Sequence, residues 1–225
     1  MSTNTPALGK ISVVTGRAAA LDIANLDTDQ IMPKQFLRGI DKAGLAQGLF
    51  YDLRYDGEGH ARADCALHRP GFAGVNVLFA AANYGCGSSR EHAVGGMQQY
   101  GFEAVVAPSF GEIFYSNAIN NRLLPAMVAE ADAQAFLHEA AASDGPLAVE
   151  VDVARLQVRT PGHRAPFTLS ERHQRMFLEG LDVIGASLAY APQIAAFAQA
   201  HWQREPWVRD VARGVRDRLA ASPGC

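Results

Sequence analysis

The sequence predicts an α/β domain followed by a helical appendage, and three observations carry that prediction. First, two short apolar runs, residues 74–82 (GVNVLFAAA) and 104–107 (AVVA), are each followed by a Gly- or Pro-bearing loop and then a helix-like stretch. Apolar runs of this length suit strands buried on both faces, and the β-loop-α-β-loop-α order argues for parallel pairing. Second, after Gly145-Pro146 the apolar period becomes two. Val149, Val151 and Val153 alternate with Glu150 and Asp152, then come Leu156 and Val158, the turn Pro161-Gly162, and Phe167 and Leu169. This pattern is a small β-meander. Third, residues 191–203 and 206–220 read as terminal helices, the second placing Val208, Val211, Val215 and Leu219 on one face. The main domain is therefore set at residues 1–200, with a helical tail of unassigned role at 201–225.

The remaining elements follow in order. Residues 9–24 alternate loosely and suit a strand. Asn25 to Gln30 form a polar run that reads as a loop, and Pro33 suits the start of a helix over 31–37. Residues 41–73 are rich in Gly, Asp, Arg and His and read as an irregular excursion anchored at Leu49-Phe50-Tyr51. A helix is expected from about Ser89 to Tyr100, closed by Gly101. Ser109 and Glu112 have capping-box spacing and should open the next helix. Residues 129–142 are alanine-rich and read as a surface helix, and 170–180 as a helix ended by a glycine.

Composition narrows the function. The 225 residues are 48% apolar and 19% charged with a net charge of -3, as in ordinary globular proteins. No basic block dominates, which argues against a nucleic-acid surface. The apolar runs are too short to span a bilayer. The start, MSTNTPALGK, lacks a basic segment followed by an apolar one, so a cytoplasmic protein is expected. Three cysteines (65, 86 and 225) are odd in number and far apart, which disfavours a disulfide framework. No Cys-x-x-Cys occurs and the histidines are scattered. A metal site held by this chain alone is not expected.

Chemistry concentrates in residues 83–92, NYGCGSSREH. A buried strand ends, two glycines permit unusual backbone angles, and a helix begins. Backbone N–H groups at such a helix start favour an anion. Arg90 fits the helix dipole poorly there, because a cation belongs at the other end. Its guanidinium could instead grip a carboxylate with two parallel hydrogen bonds. Ser88 has a competing role: Ser88-Ser89-Arg90-Glu91 is an S-x-x-E capping box, and the serine could simply cap the helix. Neither phosphate-loop signature nor the G-x-S-x-G elbow is present. A serine hydrolase and a non-catalytic anion-binding module stay open as other classes.

The run NYGCGSSREHA with YGFEAVVAPSFGEIFYSNAINNRLLP (100–125) resembles the small subunits of 3-isopropylmalate dehydratase, in the aconitase superfamily. So do Leu26-Asp27-Thr28-Asp29-Gln30-Ile31-Met32-Pro33-Lys34-Gln35-Phe36-Leu37 and Gly180-Leu181-Asp182-Val183-Ile184-Gly185. The resemblance implies a three-layer β/β/α swivelling domain and a hydro-lyase that interconverts 2- and 3-isopropylmalate in leucine biosynthesis. It implies a large partner subunit carrying a [4Fe–4S] cluster, none being bound by this chain, and a small diacid as substrate. Cys86 would not be a cluster ligand.

By position in the motif, Ser88 would be the base, Ser89 a supporting donor and Arg90 a carboxylate clamp. The backbone at Gly87 would help stabilise charge. Asp29 would orient substrate or a neighbouring group. Asp27, Glu91 and His92 would support the loop, although loop capping alone accounts for Asp27 and Asp29 equally well. Arg38 could meet a carboxylate or be solvated. Phe36 and Leu37 could face the isopropyl group or belong to the core. One departure stands out: Val94-Gly95-Gly96 occupies the place where the family would carry Pro and a bulky residue. That departure, with the Arg-rich tail, keeps related dehydratases of methylmalate/citraconate, dimethylmaleate or homoaconitate type open.

Overall fold

The computed structural model describes residues 9–37, 44–63, 65–68 and 72–221. They fall into two compact units, residues 9–182 and 183–221. The division comes earlier than the expected 200/201 boundary, because residue 200 lies within a helix, Ala191–Arg204.

The first unit is built on one seven-stranded sheet. Its parallel half contains β1 (Val13–Leu21), β2 (Val77–Ala80), β3 (Ala104–Ala107) and β4 (Leu124–Met127). Its antiparallel half adds β5 (Leu147–Asp152), β6 (Gln157–Arg159) and β7 (Arg164–Pro166), in the order β4-β3-β2-β1-β5-β6-β7. Thr168, just past β7, donates its N–H to the Met127 carbonyl of β4 at 2.7 Å. The two edges of the sheet therefore meet. The curled sheet supplies two β layers and helices supply the third.

Burial on both faces explains the unbroken apolar runs of β2 and β3, every residue of which is buried. On one face Leu78, Ala80, Val105 and Ala107 join a core with Ala93, Val94 and Met97 of α4 (Glu91–Tyr100) and with Phe114 and Ala118 of α5 (Glu112–Asn121). On the other face Phe79 stacks on Phe136 of α6 (Glu130–Ala142), with ring centroids 5.1 Å apart. That helix lies at the surface, as expected, with Glu130, Ala131, Gln134 and His138 exposed, and its other face is core. Ala133, Phe136, Leu137 and Ala140 are buried. Its polar side grips the β6–β7 turn, with Glu139 accepting from the Gly162 N–H at 2.7 Å and Asp132 2.9 Å from His163. Small alanines let this helix sit close to the strands.

Other elements depart from expectation for local reasons. Thr28–Ile31 is a short helix, α1, where a loop was expected. Pro33 lies beyond it and stops it, because the residue before a proline disfavours helical angles. A 3-10 turn, Lys34–Leu37, follows. The excursion contains two single-turn helices, α2 (Leu45–Gly48) and α3 (Tyr51–Arg54), and its anchor residues Leu49 and Phe50 are fully buried. Strand β4 was not expected from Leu124-Pro125-Ala126-Met127. Its edge position tolerates the proline, which has no N–H to donate. Helix α7 (Glu171–Glu179) is capped by Ser170 and ends at Gly180 with φ 72°, as read from the sequence.

The second unit contains α8 (Val183–Leu188), α9 (Ala191–Arg204) and α10 (Val211–Ala221). Within it, the Arg209 guanidinium lies 5.4 Å from the centre of a Trp202 ring. Among the described residues no helix is long and apolar enough to cross a membrane.

Phe136→Ala should lower unfolding free energy by about 3–5 kcal/mol, the cost of a large aromatic lost from a core. Equilibrium urea unfolding checks this. A change within about 0.5 kcal/mol would fit an exposed side chain at 136 instead.

Candidate active site

Three loops leave the carboxyl ends of the neighbouring parallel strands β1, β2 and β3, and they are joined backbone to backbone. The Gly85 N–H donates to the Leu26 carbonyl at 2.8 Å, and the Thr28 N–H donates to the Cys86 carbonyl at 2.9 Å. On the other side, the Tyr84 N–H donates to the Ser109 carbonyl at 3.1 Å and its carbonyl accepts from the Gly111 N–H at 2.9 Å. The parallel ladder thus continues past the strands. The Gly-rich loop is its middle rung. Crevices at the carboxyl ends of parallel strands are where α/β sheets bind ligands.

Side chains lock the same loop from below. Tyr84 is fully buried, meets Phe114 edge-on at 5.2 Å and donates its hydroxyl to the Met97 sulfur at 3.3 Å. Burial pushes its phenol well above the usual tyrosine range. The loop's glycines are required by geometry. Gly85 (φ 73°) and Gly87 (φ 88°) both occupy the left-handed region. A side chain at Gly85 would strike the Phe114 ring at 2.3 Å, whereas one at Gly87 would meet the Asp27 Cβ at 3.4 Å and the Thr28 Oγ1 at 3.9 Å, ordinary contacts.

Ser88 does not cap α4. The helix begins at Glu91, Arg90 occupies the cap position, and no side chain caps it. Local S-x-x-E spacing loses here to a tertiary contact. The buried Thr28 hydroxyl donates to the Ser88 carbonyl at 2.8 Å, and the two hydroxyl oxygens lie 3.3 Å apart. Ser88 and Ser89 are exposed. Thr28 is a site residue that the sequence reasoning missed. Its only signal is its position between Asp27 and Asp29. The same correction applies to Ser109. Gly111 holds the cap position of α5, and the Ser109 hydroxyl accepts from the Asn83 N–H at 2.8 Å instead.

Arg90 forms an ion pair with Asp29, and its guanidinium also donates to the Met32 carbonyl at 3.4 Å. Its side chain is 13% exposed, that of Asp29 46%. The guanidinium is thus held mostly buried beside a half-exposed carboxylate. Asp27 is a helix cap: it accepts from the Gln30 N–H at 2.8 Å while Gln30 accepts from the Asp27 N–H at 3.0 Å, a reciprocal capping box that opens α1. His92 stands half-buried in the first turn of α4, beside the exposed Glu91. Cys86 donates its thiol to the Asn25 carbonyl at 3.3 Å. Phe36 and Leu37 are partly buried against the core, Phe36 lying 5.0 Å from the Tyr51 ring. Arg38 lies outside the described residues. Among the described residues no group of three His, Cys, Asp or Glu side chains converges as a metal site would require.

Gly95 and Gly96 have a packing explanation. A side chain at Gly96 would meet the Met32 Cε at 2.2 Å, and one at Gly95 the Leu45 Cδ1 at 3.3 Å. The bulk expected on α4 is supplied from across the contact, by the residue that holds Arg90 and by α2.

The assembled site offers an exposed hydroxyl, a cationic clamp and the first-turn N–H groups of a helix that no side chain caps. Groups of these kinds suit an anion such as a carboxylate and the negative charge that develops next to it.

Known proteins agree with this fold. The aconitase C-terminal domain family matches residues 9–131. The chain is 56% identical over 207 residues to 3-isopropylmalate dehydratase small subunit 1 of Chromobacterium violaceum, covering 92% of this chain and 97% of that one. It is 38% identical to the 3-isopropylmalate dehydratase small subunit of Caulobacter vibrioides, over 86% of this chain and 95% of that one. The crystal structure of 3-isopropylmalate dehydratase from Methanocaldococcus jannaschii superposes with a TM-score of 0.58 at 25% identity, over 83% of this chain and 99% of that one. The chain therefore belongs to the aconitase C-terminal domain family, and within it to the 3-isopropylmalate dehydratase small subunits.

Gly85→Ala should destabilise the chain by about 2–4 kcal/mol, through both the left-handed backbone and the Phe114 clash. Gly87→Ala should cost about 1 kcal/mol, from backbone strain alone. Urea unfolding of the two variants checks the order, and equal costs would contradict it.

Proposed function

We propose that this chain is the small subunit of a two-chain hydro-lyase that interconverts 2-isopropylmalate and 3-isopropylmalate in leucine biosynthesis, in the cytoplasm. The observation that carries this reading is the Ser88 hydroxyl, freed from capping and set beside the Arg90 clamp on a rigid three-loop ladder. The names of the relatives support the same reading.

In this reading Arg90 binds a substrate carboxylate, and Asp29 fixes the guanidinium plane so that both N–H edges are aimed. Ser88 takes the proton from the carbon beside that carboxylate and returns it on the other half-reaction. A serine oxygen is a strong base only when its charge is stabilised. The first-turn N–H groups of α4 and the Arg90 charge supply that stabilisation. Ser89 adds a hydrogen bond to the bound diacid. Gly87 leaves the approach to Ser88 clear of side chains. In this reading a [4Fe–4S] cluster sits on the large subunit. When bound there it would supply Lewis acidity for the leaving hydroxyl.

Related diacids were open because of Val94-Gly95-Gly96 and the Arg-rich tail. Met32 and Leu45 pack against the two glycines, which gives the pair a structural reason, and the names of the relatives favour isopropylmalate. A stand-alone serine hydrolase would need a base on Ser88, and its hydroxyl contact is Thr28, which is not one.

The test is reconstitution. The chain alone should turn over nothing. Mixed with a reduced iron–sulfur large subunit, it should convert 2-isopropylmalate at least about tenfold more efficiently than methylmalate or dimethylmalate, the discrimination an apolar side chain of this size provides. Equal or reversed preference would overturn the substrate assignment, and turnover by the isolated chain would overturn the two-chain reading.

A further inference from the structure

Thr28 has one hydroxyl hydrogen and two acceptors within reach. The 2.8 Å contact to the Ser88 carbonyl claims that hydrogen in the resting chain. The 3.3 Å contact between the two hydroxyl oxygens then requires Ser88 to be the donor. Thr28 is 2% exposed, lies in α1, and has its own N–H tied to the Cys86 carbonyl. A β-branched side chain so placed is stiff at χ1, so its oxygen is a fixed point under the loop.

We infer that Thr28 is the positioning residue for Ser88: its hydroxyl aims the Ser88 proton into the protein and, once that proton is gone, turns to donate to the Ser88 oxygen. This rests on the reading of Ser88 as the base. In the resting state the Ser88 hydrogen points down to Thr28 and the serine lone pairs face the open side of the loop. In the alkoxide form, reached when the Ser88 O–H bond breaks and its proton passes to bulk water at the open side of the loop, the Thr28 hydrogen leaves the Ser88 carbonyl for the neighbouring Oγ. When a substrate C–H bond breaks, the proton goes to Ser88 Oγ and the electron pair stays on the substrate carbon. Thr28 then returns to the carbonyl, having gained and lost nothing. Thr28 thus couples α1 to the reacting oxygen, and a neutral hydroxyl does so without neutralising Arg90, as a second carboxylate would.

Two arms test this. In the reconstituted complex, Thr28→Val should lower kcat for 2-isopropylmalate by about tenfold, the worth of one hydrogen bond to a charged oxygen, with KM changed less than about twofold. Thr28→Ser should restore kcat, which a purely structural role of the methyl group would not allow. Wild-type kcat in Thr28→Val, or no recovery in Thr28→Ser, would overturn the inference. The second arm needs no activity and no partner. In the full chain carrying Ser88→Cys, iodoacetamide alkylation of the introduced thiol, read peptide by peptide, should have its midpoint about one pH unit higher when Thr28→Val is added. Adding Thr28→Ser should leave it unchanged. Thr28→Ala replaces Thr28→Val if the latter does not fold. Equal midpoints would sink the inference even if the enzyme reading stands. A shifted midpoint with no turnover of isopropylmalate by the wild-type complex would sink that reading instead.

Discussion

Everything functional in this chain depends on a short stretch of backbone hydrogen bonding beyond the ends of the strands. The links from Gly85 to Leu26, from Thr28 to Cys86 and from Tyr84 to Ser109 and Gly111 turn three separate loops into one extension of the sheet. Loops are normally the loosest parts of a domain. Here the loop that carries Ser88, Ser89 and Arg90 is held as firmly as a strand, and its underside is filled by Tyr84 against Phe114 and Met97. Catalytic groups work only when they are held within a fraction of an ångström of their proper places. The ladder supplies that rigidity without using any of the reacting side chains to build it.

The ladder also resolves a conflict over one oxygen. A serine three residues before a glutamate, at a helix start, is normally a cap. At residue 88 the cap position has moved on to Arg90, because Thr28 holds the Ser88 carbonyl and the left-handed glycines 85 and 87 turn the chain before the helix can begin. The helix forgoes a cap contribution of about 1 kcal/mol. No side chain caps the start of that helix, and Ser88 is exposed. Sites that give up local stability in this way are where function is concentrated.

Much of the fold was legible in the sequence. The apolar runs of β2 and β3 announced strands buried on both sides, the alternation at Val149, Val151 and Val153 announced the meander, and Ser170 and Gly180 bracketed α7. What was missed depends on contacts distant in sequence. Nothing local in an alanine-rich helix says that Phe136 will stack on Phe79. Nothing in Leu124-Pro125-Ala126-Met127 says that an edge position will tolerate the proline. Helix α1 could have been found, since Asp27 and Gln30 carry capping-box spacing three residues apart. At the site, Ser88, Ser89 and Arg90 stood out by residue type and crowding, and Asp29 through the family resemblance. Thr28 did not, because its importance is that its hydroxyl reaches residue 88, sixty positions away. Gly95 and Gly96 looked like a sign of a different substrate, and the structure gives them to Met32 and Leu45.

The central claim is that the Ser88 oxygen does chemistry and not capping. It is tested most directly by Ser88→Ala in the complex reconstituted with the large subunit. The expected result is a kcat for 2-isopropylmalate lower by about a thousandfold, within the range for loss of a positioned proton-transfer group. KM should change only a few-fold, and the thermal midpoint of the chain should stay at the wild-type value. A variant that keeps wild-type kcat while losing about 1 kcal/mol of stability, as loss of a helix cap would cause, would contradict the account.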